Sequence, residues 1–247
     1  MENSEEHYNV IVIGATGASG RELVDELLNS PYYSTITIPV RRKIDRWENL
    51  PKEKADKLIV KIVENLDFLF DEAQFKETIS TDIQYNTLFC CLGSRVGRGE
   101  EEFRKVDFTY PVKACEICEK LKIPHFSLIS AGNAKTSSMF LYCRVKGEAE
   151  DEIMKKDVQY ISIMRPGIIL DRDNDKRTSE TFMAWVPFVA KISTKDIAKA
   201  LLYDDLLFQR EANKEPKKVK IEHAQMEKLA SDYSASLSNA NTEAKAE

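Results

Sequence analysis

Three residues in the middle of the chain have the types and spacing of a proton-transfer site. Tyr142 and Lys146 lie four residues apart in a segment with helical periodicity, so they share one helix face. Ser130 ends an apolar run upstream of them. A lysine ammonium beside a tyrosine favours release of the phenol proton, and a serine hydroxyl can orient a carbonyl oxygen. We predict Tyr142 as the proton donor, Lys146 as its partner and Ser130 as the group that steadies the oxygen.

A glycine-rich turn, GATGASG, follows the first apolar run and precedes a helical pattern. A tight turn after a buried strand needs a residue without Cβ, and the free amide groups at the start of a helix attract phosphates. The spacing is GxxGxxG, which differs from the GxGxxG of the common dinucleotide fingerprint. The alternative is a glycine-rich turn without a ligand. We predict a diphosphate site formed by Gly14, Thr16, Gly17, Ala18, Ser19 and Gly20.

Two arginines end the second predicted strand. An acidic residue at this position would bind a ribose 2′-hydroxyl and favour NAD, whereas arginine suits a 2′-phosphate. Arg41 and Arg42 therefore predict NADPH as the cofactor. The alternative is a pair of solvated arginines at a strand end.

Apolar runs and helical patterns alternate over residues 8–170, which predicts an α/β fold with a Rossmann-like, doubly wound parallel sheet. In that setting a tyrosine–lysine pair after the fifth strand is a stronger signal than the same pair on an arbitrary helix, where it arises by chance. The predicted strands are 9–13, 36–40, 58–63, 87–91, 125–130 and 160–164. The predicted helices are 19–30, 103–121 with Pro111 as a candidate kink, and 140–155.

The pattern weakens beyond residue 170. We predict a single NAD(P)-binding domain over residues 1–233, in which residues 171–233 form a small substrate-side region with a helix at 194–204 and a strand at 218–222. Residues 234–247 are mostly Ser, Ala, Asn and Glu, with Leu237 as their only large apolar residue. That composition predicts a disordered tail.

Composition excludes several classes of function. A net charge of −5, from 36 basic and 41 acidic side chains, argues against a protein that coats nucleic acid. No apolar run approaches the ~18 residues of a membrane span, and the acidic start MENSEEHYNV is unlike a targeting signal, so we expect a cytoplasmic and also a nuclear location. Five cysteines suit a reducing compartment, and we interpret Cys115-x-x-Cys118 as helix packing. The three histidines lack metal-ligand spacing, so we predict no metal site.

Together these motifs resemble the short-chain dehydrogenase/reductase superfamily, in its atypical branch. Three stretches are similar in particular to the Tat-interacting protein 30 family of oxidoreductases: FCCLGSRVGRGEEEFRKVD (89–107), SSMFLYCRVKGEAE (137–150) and MRPGIIL (164–170). The resemblance covers roughly residues 8–205.

The resemblance implies a role for each matching position. Thr16 to Ser19 would contact the diphosphate, Arg41 and Arg42 the 2′-phosphate, and Leu92 and Gly93 the adenosine side. Tyr142 and Lys146 would be the catalytic pair, and Ile169 and Arg177 would close over the cofactor. The family is described as NADPH-binding, with protein partners and roles in nuclear import, transcription and apoptosis. The chain departs from the family in the short, charged segment after Ile169 and in its tail, which leaves the substrate open.

Two hypotheses follow. The chain is an NADPH-dependent reductase of a carbonyl substrate that the sequence does not identify, or a regulatory protein that binds NADPH as a sensor with little or no turnover. The Ser/Tyr/Lys set favours the enzyme, and the short substrate region favours the sensor.

Overall fold

A computed structural model describes residues 7–79, 82–94, 97, 99–171, 190–212 and 214–243. Within these residues, seven parallel strands form one sheet in the order β3-β2-β1-β4-β5-β6-β9. A short pair of parallel strands, β7 and β8, lies apart from it. The strands are β1 Tyr8–Ile13, β2 Tyr33–Val40, β3 Leu58–Ile62, β4 Thr87–Cys90, β5 His125–Ile129, β6 Tyr160–Arg165, β7 Ile168–Leu170, β8 Lys191–Ser193 and β9 Lys217–Glu222.

Helices cover both faces of the sheet. They are α1 Ala18–Asn29, α2 Lys52–Ala55, α3 Leu66–Leu69, α4 Glu72–Thr78, α5 Glu100–Arg104, α6 Tyr110–Leu121, α7 Leu141–Ile153, α8 Thr194–Arg210 and α9 His223–Glu243, with a 3-10 turn at Asp45–Trp47. One hydrophobic core lies under α1, α8 and α9, and a second lies under α4, α6 and α7. The central strands β1, β4, β5 and β6 are buried along almost their whole length because each of their faces packs on a helical layer. The predicted doubly wound parallel fold is confirmed.

Strand order reverses between β1 and β4, which sets the position of the site. The chain runs outward from β1 to β2 and β3 in one direction and from β4 to β9 in the other. Ile13 at the end of β1 pairs with Cys90 at the end of β4. Ligands of open α/β sheets bind at the carboxyl ends of the strands beside such a reversal.

The helix predicted over 103–121 is interrupted. Helix α5 leads into a π-helical turn, Lys105–Thr109, and α6 starts directly after it. Pro111 stands in the first turn of α6. Proline has no amide hydrogen and its ring displaces the preceding turn, so the regular hydrogen-bond ladder cannot run through this position. The distortion predicted at Pro111 thus takes the form of a π turn, a feature common at functional sites.

The C-terminal region differs from its prediction. Helix α8 packs on α1 and α9, and β9 pairs with β6, so much of the proposed substrate-side region completes the layered sheet instead. Residues 172–189 lie outside the described part of the chain.

The predicted disordered tail is also different, because α9 continues through Ser234 to Glu243. Its sequence holds neither glycine nor proline. Contacts with α8 explain its helical start: the Tyr203 and Tyr233 rings lie 5.9 Å apart, and Lys199 donates to Ser234 at 3.0 Å. Once these contacts fix the first turns, residues of fair helix propensity extend it.

Candidate functional site

The glycine turn folds over the end of β4. Gly14 has φ +83°, and a Cβ there would lie 2.7 Å from the carbonyl carbon of Cys91. A Cβ on Gly20 would lie 2.2 Å from the Gly14 oxygen. Backbone atoms cannot yield to such contacts, so both positions require glycine. They bring the start of α1 against the sheet edge where β1 and β4 end.

The first turn of α1 suits an anion. Gly17 is its N-cap and makes no side-chain capping bond, and the first turn carries no acidic residue. Gly17, Ala18 and Ser19 line a cleft at this helix end. Uncapped amide groups and the positive end of the helix dipole attract phosphate, so these residues fit the predicted diphosphate.

The cleft joins the glycine turn to the predicted proton-transfer site. It is lined by Gly17, Ala18, Ser19, Cys91, Leu92, Gly93, Ser94, Asp107, Ile129, Ser130, Tyr142, Lys146 and Ile169. Gly14, Thr16 and Gly20 are not among the lining residues, and Thr16 is exposed. Arg41 and Arg42 are exposed at the end of β2 and do not line the cleft. Arg177 lies outside the described residues.

Lys146 is buried beneath the cleft. Its ammonium donates to the Ile129 carbonyl at 3.4 Å and forms an ion pair with Asp107 at 2.9 Å. Tyr142, one turn earlier, lies half-buried with its ring centre 5.8 Å from that of Phe103. The pair therefore shares a face of α7, with Tyr142 bordering the opening and Lys146 beneath it.

Asp107 is the residue that sequence reasoning missed. Its side chain is 1% exposed, and its Oδ2 accepts from the amide and the hydroxyl of Ser94 at 2.8 and 2.7 Å. Burial lowers the pKa of Lys146, but the adjacent Asp107 carboxylate, together with Tyr142 and Cys90, outweighs burial and raises that pKa overall. A signal was present, because helical spacing places Asp107 on the same stripe as Phe103, Tyr110 and Ala114. A carboxylate on the apolar face of a helix is costly to bury unless it has a hydrogen-bond or charge partner.

Ser130 has a contact that the sequence did not predict. Its hydroxyl donates to the Glu150 carboxylate, which is fully buried. Arg165 contacts the same carboxylate through its Nε at 3.1 Å, and Lys220 does so at 3.0 Å. Ser130 is among the residues that line the cleft, and its hydroxyl proton is directed to Glu150. In this geometry Ser130 presents an acceptor, whereas a substrate carbonyl requires a donor.

Thiol and metal chemistry find no support among the described residues. Burial raises the pKa of the Cys90 thiol to about 12 and raises that of the Cys118 thiol well above its ordinary value. Cys115 and Cys118 are buried in the core under α6, in line with the packing interpretation. No group of His, Cys, Asp and Glu in the described part of the chain has the arrangement of a metal site. None of the described helices is both long and apolar enough to cross a bilayer.

Comparison with known proteins gives the family. A family model described as NAD(P)H-binding matches residues 14–203. The rat protein HTATIP2 is 31% identical over 177 residues, which cover 70% of this chain and 67% of that protein. The protein FMP52, mitochondrial, of Saccharomyces cerevisiae is 27% identical over 173 residues, which cover 69% of this chain and 70% of that protein.

Solved structures share the fold at low identity. MoeE5 in complex with UDP-glucose and NAD aligns with a TM-score of 0.63 at 14% identity, covering 87% of this chain and 75% of that one. UDP-glucose 4-epimerase from Thermotoga maritima with UDP-glucose gives 0.60 at 14% identity, covering 91% and 82%. At such identities the likeness establishes architecture alone. From the family match and the HTATIP2 similarity, this chain belongs to the NAD(P)H-binding family, as a homologue of HTATIP2, or Tat-interacting protein 30, with a short-chain-dehydrogenase-like fold.

Proposed function

We propose that this protein is an NADPH-dependent reductase of a carbonyl compound. The observation that supports this proposal is that one cleft contains both the α1 N-terminus and the pair Tyr142 and Lys146. Bound NADPH would supply the hydride. The residues of this chain would then hold the diphosphate at Gly17 to Ser19 and place the Tyr142 hydroxyl over the carbonyl oxygen, to which it gives its proton. Lys146 would hold the nicotinamide ribose.

The apolar part of the cleft wall supports the same orientation. Leu92, Ile129 and Ile169 line the same cleft as the α1 N-terminus and Tyr142. Apolar walls exclude water from a reacting centre and strengthen the polar contacts that remain there. A ring held between these side chains would present one face toward Tyr142.

The test is turnover after Tyr142→Phe. We expect the variant to lose reduction of every active compound in a carbonyl panel by at least about 100-fold, because general acid catalysis is typically worth that much. Its NADPH affinity should change little, since the ring and the helix remain. Leu141→Ile, a neighbour in the same turn of α7, is the matched control. Full activity in Tyr142→Phe would refute the proposal.

One observation favours a second function, a regulatory protein that binds NADPH with little or no turnover. Ser130 directs its proton to Glu150 rather than to the cleft, so the predicted carbonyl-orienting donor is engaged elsewhere. The same experiment separates the two functions. A sensor would bind NADPH tightly and reduce none of the panel in wild-type form.

A further inference from the structure

Asp107 and Lys146 form a buried ion pair directly beneath the cleft. Their side chains are 1% and 5% exposed, and Oδ1 of Asp107 lies 2.9 Å from Nζ of Lys146. The π turn places Asp107 there, and Ser94 fixes its other oxygen through two hydrogen bonds. Opposite charges at this distance and burial offset each other's field at nearby groups.

Other charged groups around the pair are engaged with partners of their own. On α7, Glu150 contacts Arg165 and Lys220. On α5, Arg104 pairs with Glu148. Strand β4 contributes the Cys90 thiol, whose pKa burial raises to about 12, and β5 contributes Ser130 and the Ile129 carbonyl. Asp107 is therefore the carboxylate that directly opposes Lys146 among the described residues.

We propose that Asp107 is a positioning residue that holds the Lys146 ammonium and offsets its charge, so that this ammonium draws less negative charge onto the Tyr142 oxygen. This inference rests on the proposed function and gives it a direction. The hydroxyl form donates to a carbonyl oxygen, whereas alcohol oxidation needs the phenolate as a base. In the reduction, hydride from NADPH forms the new C–H bond and the Tyr142 proton forms the new O–H bond. NADP⁺ and a phenolate remain, and solvent returns the proton.

The geometry gives this role a physical basis. Lys146 follows Tyr142 by four residues on α7, so an unopposed ammonium would attract negative charge on the phenol oxygen. The Asp107 carboxylate, paired with that ammonium at 2.9 Å, reduces the attraction. The raised pKa of Lys146, to which the Asp107 carboxylate contributes against the effect of burial, agrees with a pair that stays ionised.

The test measures tyrosinate absorbance against pH in wild type and in Asp107→Asn. The same titration is made with Tyr142→Phe added to each protein, and the difference between the two curves reports Tyr142 alone. Burial raises the pKa of several other tyrosines, including Tyr85 and Tyr233, the latter to about 12, and the subtraction removes their absorbance. We expect the Tyr142 midpoint in Asp107→Asn to fall by about one pH unit, the effect of one unopposed charge at this range. An unchanged or higher midpoint would overturn the proposal.

Two further variants separate charge from structural disturbance. Asp107→Glu retains the carboxylate and should restore the wild-type midpoint. Asp107→Asn combined with Lys146→Met removes both charges and should also titrate near wild type, which keeps the proposal testable where Asp107→Asn alone folds poorly. If the Tyr142 midpoint of the double variant falls as far as that of Asp107→Asn, the proposal that Asp107 offsets the charge of Lys146 is wrong.

Turnover provides a separate readout. The rate of carbonyl reduction should fall at high pH as the Tyr142 phenol loses its proton. In Asp107→Asn this fall should occur at lower pH than in wild type, in step with the Tyr142 midpoint. The absorbance titration needs no substrate, so its failure overturns the charge role whatever the protein catalyses. A shifted midpoint in a protein that reduces nothing would instead refute the proposed reductase and leave the charge role standing.

Discussion

Arg41 and Arg42 end β2 with exposed side chains, beside the strand that leads into the glycine turn. Neither contributes to the cleft wall, so their contact with a cofactor requires a ligand that extends out of the cleft past the end of β2. An adenosine 2′-phosphate on a cofactor whose diphosphate lies at α1 would do so. Guanidinium groups form paired, charge-assisted bonds with such a phosphate, which NADH lacks.

We predict that Arg41→Ala with Arg42→Ala weakens NADPH binding roughly 10- to 100-fold, as expected for lost charged hydrogen bonds, and NADH binding far less. Titration of both cofactors by intrinsic fluorescence measures the ratio. Lys195→Ala removes an exposed cation on α8 and should leave both affinities unchanged. An equal loss for both cofactors would exclude these arginines as the 2′-phosphate site.

At the residue scale, relative position was predictable where spacing along one element fixes it. Tyr142 and Lys146 share a face of α7, and the structure brings both to the cleft with Gly17. The partners of Lys146 and Ser130 were not predictable in the same way. Asp107 and Glu150 reach these side chains through a π turn and through the packing of α7 on the sheet, neither of which has a local sequence pattern.

Helix α7 is placed by one close backbone contact. A Cβ on Gly147 would lie 2.5 Å from the carbonyl carbon of Lys135 and from the amide nitrogen of Thr136. The loop after β5 thus packs directly on the helix that carries Tyr142 and Lys146. Separation of these two backbones would move Tyr142 and Lys146 away from Ser130, which follows β5.

We predict that Gly147→Ala destabilises the protein by about 1–3 kcal/mol, the usual cost of overpacking, and lowers turnover even in the folded fraction. Thermal unfolding gives the first quantity, and activity per folded molecule gives the second. Gly97→Ala is the control, because a Cβ there meets nothing within 4 Å. Unchanged melting in Gly147→Ala would mean that α7 and the loop can separate at little cost.

At the scale of elements, the long strands and helices were predictable because burial on both faces gives apolar runs and burial on one gives helical periodicity. The short helices α2, α3 and α4 were not predicted, since four to seven residues carry too little periodicity. The prediction for residues 234–247 differs from the structure for another reason. Their polar composition indicates disorder, but contacts of Tyr233 and Ser234 with α8 start a helix that continues to Glu243.

Across the whole molecule, the end of the sheet opposite the cleft holds a buried polar network. Asp205 on α8 accepts from Tyr33 at 2.7 Å and from Thr87 at 2.6 Å, and it contacts His125 at 2.8 Å. These three residues begin β2, β4 and β5, so one carboxylate ties α8 to three strands. Burial acts to raise the pKa of Asp205, but His125 and the two hydroxyl donors outweigh it and lower that pKa overall.

This network gives the fold a pH dependence with a defined sign. A carboxyl whose folded pKa lies below its unfolded value binds more protons when unfolded, so it stabilises the fold above that unfolded value. For Asp205 the ordinary value is 3.8. Its contribution is therefore fully present above about pH 4 and is lost as the pH falls through the lower folded pKa.

Asp205→Asn should lower the free energy of unfolding at pH 7 by roughly 3 kcal/mol, because the amide cannot accept from all the donors that surround this buried side chain. Urea unfolding at pH 7 and at successively lower pH measures this loss, which should shrink on acidification. Asp56→Asn, at an exposed position, is the control. NADPH affinity per folded molecule should not change, because the network and the cleft lie at opposite ends of the strands. A loss that stays constant down to the lowest pH would show that Asp205 acts through packing rather than through its charge.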